Sequence, residues 1–91
     1  MHTTRPRQLW PLKPNVLDAI GFKASAAFAQ VADGLLPPPV ACGRRAKRYV
    51  SDEIQAVVEA RVTGASDDEI KSLVLRLVAA RSQGAAALDA A

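Results

Sequence analysis

Residues 34–50 read GLLPPPVACGRRAKRYV, and this stretch decides the fold. The run Pro37-Pro38-Pro39 can neither continue a helix nor pair in a central strand, so it imposes a stiff, extended connector. Beyond it, Val40 to Cys42 and Arg48 to Val50 read as two short extended pieces around a turn at Gly43 to Lys47. The result is a β-hairpin that carries Arg44, Arg45, Lys47 and Arg48 within five residues. Like charges this close repel one another, so the cluster is costly in a tight hairpin unless an anion neutralises it. Phosphate is the obvious anion, and a solvated loop is the competing reading. Side chains alternate along a strand, so Lys47 and Arg48 face opposite ways.

Upstream, residues 1–13 hold two prolines, basic side chains and Trp10 without periodicity, and read as a basic arm. Pro14 suits the first position of a helix, where its missing N–H is harmless. Val16, Leu17 and Ile20 give that helix an apolar face, and Gly21 ends it. From Lys23 to Asp33, residues Ala24, Ala27, Phe28 and Val31 recur at helical spacing with Leu35 beyond them, so a second helix buries that face. Ser25, Ala26, Ala29, Gln30 and Asp33 lie opposite. Two short helices joined at Gly21-Phe22 match a helix-turn-helix. Phe28 is expected to pack in the core, Tyr49 to pack under the hairpin or, as the competing reading, to offer its hydroxyl to a phosphate, Trp10 to close the core beside the first helix, and Cys42 to be a small buried hairpin residue.

Downstream, Ser51 is the expected N-cap of a third helix, with Asp52 and Glu53 at its positive end. Ile54, Val57, Val58 and Val62 form its apolar stripe, and Gly64 ends it. Ser66 and Glu69 have the spacing of a capping box. They open a fourth helix whose apolar face is Ile70, Leu73, Val74, Leu77 and Val78. A narrower stripe of Ser72, Leu75 and Ala79 is a candidate self-association surface, and head-to-tail contact through it would build open arrays. The expected organisation is a basic arm over 1–13, a winged helix-turn-helix over 14–64, an amphipathic helix over 65–83 packed on that domain, and a flexible tail over 84–91. The fold class is mainly α with a small β-hairpin: a winged helix-turn-helix with an additional C-terminal helix.

The chain of 91 residues, 49% of them apolar, suffices for one domain with a modest core. Its net charge of +3 is less telling than its distribution. Residues 1–50 carry eight basic side chains against Asp18 and Asp33, whereas residues 51–91 carry four basic and seven acidic ones. A polyanion therefore meets the N-terminal half. The single cysteine, Cys42, excludes an internal disulfide framework and fits a reducing cytoplasm. No secretion signal or membrane span is legible. His2 is the sole histidine, no serine or cysteine has a base partner, and one Cys with one His cannot bind zinc. With no phosphate-cradling glycine motif either, the expectation is a cytoplasmic protein that is not an enzyme, without cofactor, metal, membrane partner or small-molecule substrate.

The residues expected to meet double-stranded DNA follow from this layout. Lys23 suits a phosphate, Ser25 a base or phosphate, Gln30 an adenine edge, and Ala26 or Ala29 a thymine methyl. Arg44, Arg45, Lys47 and Arg48 would hold phosphates from the wing, and Arg5 and Arg7 would reach DNA from the arm.

The stretch from Gly21-Phe22-Lys23-Ala24-Ser25 to Ala32-Asp33-Gly34-Leu35-Leu36-Pro37, with Pro39-Val40, Gly43-Arg44-Arg45-Ala46, Arg48-Tyr49 and Asp52-Glu53-Ile54, resembles the AlpA and excisionase family of small MerR-like winged helix-turn-helix proteins. That covers roughly half of the chain, in the family's order. The resemblance implies a DNA-binding protein of a mobile element, acting as a recombination directionality factor that binds adjacent sites and bends DNA for a cognate integrase. It also implies that Ser25, Ala26 and Gln30 are recognition-helix positions and that Arg45 and Arg48 are wing positions. The chain departs from the family in its alanines at 24, 26 and 29, where large polar residues often stand, which moves weight from base contacts to the wing and to DNA shape. Its fourth helix also extends past the family's minimal domain. The alternatives are an AlpA-like transcriptional regulator at a single operator and a protein-interaction or antitoxin-like module whose fourth helix binds a partner. RNA binding is disfavoured because no aromatic platform for stacking bases is legible.

Overall fold

The structure, a computed structural model, describes residues 8–44 and 46–90, with residues 82–90 described by their backbone alone. His2, Arg5, Arg7 and Arg45 lie outside the described residues. In chain order, β1 is Leu9–Trp10, and a wide helical turn over Leu12–Val16 leads into α1, Leu17–Ile20. Next come α2 Ala24–Ala32, β2 Val40–Ala41, β3 Lys47–Val50, α3 Ser51–Val62 and α4 Asp67–Ala90. The molecule is mainly helical, with one three-stranded antiparallel sheet in the order β1-β3-β2.

The triple proline acts as its chemistry requires. It separates α2 from the hairpin, and Pro37 is fully buried beneath the chain's turn. Val40 pairs with Arg48 and Ala41 with Lys47, and the Cys42 N–H donates to the Ala46 carbonyl at 2.8 Å to close the hairpin. Gly43 sits there at φ +113, a conformation that side-chain-bearing residues rarely adopt. Cys42 is half-buried, so it lies at the hairpin's edge and not within the core.

Two expectations change at the N-terminal end. Residues 8–10 do not belong to an arm: Leu9 pairs with Val50 and Trp10 with Tyr49. Ser51 is not an N-cap either. It is the first residue of α3 behind Val50, and its hydroxyl accepts from the Gln8 N–H at 2.8 Å while its own N–H donates to the Gln8 carbonyl. The hydroxyl ties β1 to the sheet's end, and a two-residue strand held by a partner forty residues away leaves no local periodicity to read.

The core joins Val16 and the post-helical Leu35 and Leu36 to Tyr49 of β3, Ile54 and Val57 of α3, and Ile70 and Val74 of α4. Leu73, Leu77 and Val78 pack against it, so the expected apolar face of α4 is the one that docks. Ile54 and Ile70 are fully buried. Cutting either to Ala would cost about 2–5 kcal/mol in lost transfer energy and cavity. Val62, expected in the α3 stripe, is 81% exposed: it falls in the last turn, beyond the reach of α4, where the chain reverses through Gly64. The backbone of the expected tail is helical through Ala90.

One buried charge locks these elements together. Glu53 is fully buried, and Arg81 of α4 reaches it with Nε at 2.8 Å from Oε2 and with Nη2 bonded to Oε1. The same Nη2 donates to the Pro38 carbonyl at 2.8 Å. The Glu53 hydrogen bond holds the Arg81 guanidinium above its ordinary pKa, against the opposing effect of partial burial. No helix among the described residues is long and apolar enough to cross a membrane.

Candidate nucleic-acid interface

Helix α2 begins after Gly21, which closes α1 in the left-handed region at φ +74, and Lys23, extended at the N-cap position. Its inward side is made of small residues: Ala27 is fully buried and Ala24 half-buried. The burial runs along Ala24, Ala27 and Val31, and the rest of the helix is turned outward. Ser25, Ala26 and Ala29 are exposed, as the sequence implies, and Lys23 is exposed beside them.

Two residues of this helix differ from expectation. Phe28, expected in the core, is 57% exposed. The inward line is taken by Ala27, which is fully buried. Phe28 is therefore displaced to the flank that faces the hairpin, where it lines a cleft with Leu12, Val31, Pro39, Lys47 and Tyr49. Gln30 lies on the opposite flank. It is half-buried, and its Oε1 accepts from Arg61 Nη2 at 3.2 Å, while Arg61 Nη1 bonds Asp67 at 3.2 Å. The side chain expected to read adenine is thus directed at α3.

The hairpin presents its cations unequally. Arg44 and Lys47 are exposed, and among the described residues neither is paired with a carboxylate. Arg48 is half-buried on the other face of β3 and donates to the Lys47 carbonyl at 3.0 Å. The alternation expected along this strand therefore holds, and Lys47 is the cation that shares a face with Tyr49 and with the α2 cleft. Tyr49 is buried under it, and burial pushes its hydroxyl above the ordinary value.

Ser72, Leu75 and Ala79 are all exposed on α4, with Leu75 at 72%. They lie on the side of α4 away from its docked face. Lys23, Ser25, Ala26, Ala29, Arg44 and Lys47 are each exposed, and the cleft that Phe28 and Lys47 line joins α2 to the hairpin. The structure sends Gln30 and Arg48 to flanking faces and adds Phe28, which was missed. The missed signal was the alanine at 27: where a small residue sits on the inward line of a short helix, the large neighbour is displaced. Comparison of the chain with family models, with curated proteins and with solved structures returned no match.

Proposed function

We propose that this protein is a winged helix-turn-helix DNA-binding protein, with α2 as the recognition helix and the β2–β3 hairpin as the wing. The observation that carries the reading is the exposed charge of Arg44 and Lys47, unpaired with any carboxylate among the described residues, on a hairpin whose Lys47 shares a cleft with Phe28 of α2. Charge of this kind in a tight turn is stabilised by a polyanion, and a duplex offers a dense row of phosphates. Within this reading the role is excisionase-like: several copies on neighbouring sites bend the DNA for an integrase. The fourth helix, with its acidic first turn and exposed Leu75, supports head-to-tail contact between neighbours. The reading assigns the protein no chemical step of its own and places it in the cytoplasm.

The test is a footprint and mobility-shift series on DNA flanking its own gene and on the element's ends. Neutralising about four phosphates predicts an affinity loss on the order of a hundredfold between 50 and 200 mM salt. The combined change Arg44→Ala, Lys47→Ala and Arg48→Ala should abolish most of that salt dependence; if affinity and slope stay unchanged, the reading fails. Stepwise complexes over tandem sites support the excisionase role, and one complex at a promoter supports the single-operator regulator.

A further inference from the structure

We infer that the outward face of α2 recognises the methyl groups of thymine in the major groove, with Phe28 as its principal contact. This rests on the DNA-binding reading above and adds the chemical feature of the duplex that is read. Five residues of α2 are exposed, namely Ser25, Ala26, Phe28, Ala29 and Ala32, and Ser25 alone among them carries a hydrogen-bonding side chain. Gln30, the other polar residue of the helix, is held by Arg61. The face is therefore poor in the donors and acceptors that distinguish most base edges. The thymine C5-methyl is the apolar group that a base pair presents in the major groove, and aromatic and alanine side chains are suited to cover it.

Charge identifies the occupant. Phe28 shares its cleft with Lys47, while Lys23 stands at the start of α2 and Asp33 at the helix's far end. The positive end of the helix dipole coincides with Lys23. An exposed aromatic side chain beside a cation, on a helix that carries a second cation at its positive end, matches a polyanion bearing apolar groups better than it matches an apolar protein surface.

The experiment starts from duplexes enriched from a random-sequence library by the full-length protein. Each enriched duplex is then compared by fluorescence anisotropy with a copy in which deoxyuridine replaces thymidine, removing only the methyl groups. The wild type should lose about fourfold in affinity per contacted methyl. Phe28→Ala should bind the thymidine duplex more weakly and show little further loss on the deoxyuridine copy. Because Phe28 is exposed, this variant should keep the wild-type circular dichroism spectrum, and the wild-type comparison stands even without it. Lowered affinity of the Arg44, Lys47 and Arg48 variant for both duplexes by the same factor would uphold DNA binding independently of the methyls. Equal wild-type affinity for both duplexes overturns the inference while leaving that reading intact, and assigns the cleft another apolar occupant. Failure to enrich any duplex overturns both.

Discussion

Ala27 and Phe28 are adjacent in α2 and meet opposite environments, the first fully buried and the second largely exposed. Periodicity marks both as inward-facing, because a helical stripe about 100° wide includes both positions. Only the packing of the folded chain selects between them. Tyr49 shows the contrary case: it was expected to pack under the hairpin, and the structure buries it. Its hydroxyl carries a pH consequence. A phenol whose pKa is raised by burial binds its proton more tightly in the folded chain, so the associated stability is intact below the ordinary value of 10.0 and is lost as pH rises through the folded one. Urea unfolding followed from about pH 9 to about pH 11 should show this decline, and Tyr49→Phe should show a shallower one.

At the scale of elements, α4 is the helix that its local sequence specifies best. The Glu69 N–H donates to the Ser66 hydroxyl at 3.2 Å, and the Ser66 N–H donates to Glu69 Oε1 at 3.1 Å. This reciprocal pair needs only three residues of separation, which is why it could be read directly from spacing. Replacing Ser66 with Ala should destabilise the protein by about 1 kcal/mol, measured by chemical denaturation. The backbone and hydroxyl bonds from Ser66 hold the Glu69 carboxyl below its ordinary value of 4.5. A depressed carboxylate contributes stability above the unfolded value that disappears as pH falls through the folded one, so acid should weaken the wild type more than Ser66→Ala across that interval. The contrast with α3 is informative. Ser51 has the residue type and position of a cap, yet its hydroxyl accepts from Gln8, and the N-cap position of α3 falls to Val50. A cap competes with every donor the fold brings near it, and β1 came from outside the local window. The hairpin was legible for the opposite reason: prolines, a glycine turn and β-favouring flanks are adjacent in sequence.

At the scale of the whole molecule, the contact of Arg81 with Glu53 and Pro38 joins the fourth helix, the third helix and the proline connector that aims the hairpin. Removing the guanidinium takes two charge-assisted hydrogen bonds from the buried Glu53 carboxylate, so Arg81→Ala should destabilise the fold by about 3 kcal/mol in urea unfolding. Arg81→Lys should restore only part of this, since an ammonium cannot form the paired geometry and also reach the carbonyl. Two clues to the contact were present in the chain: Arg81 continues the line of Ile70, Val74 and Leu77 on α4, and Glu53 precedes Ile54 by one residue. Each is compatible with an ordinary solvent-facing charge, and nothing local connects residues twenty-eight positions apart. The sequence by itself determined the proline-separated hairpin, the helices with their glycine ends, the docked face of α4 and the division of charge between the two halves. Those properties depend on neighbours a few residues away, whose geometry is fixed by backbone sterics and side-chain periodicity. Tertiary structure alone decided that Leu9 and Trp10 complete the sheet, that Phe28 is outside while Ala27 is inside, that Gln30 is bound to Arg61, and that Glu53 is buried against Arg81. Each of those outcomes depends on which distant group arrives first at a shared space or a shared hydrogen bond, and that competition is settled only when the whole chain closes around its core.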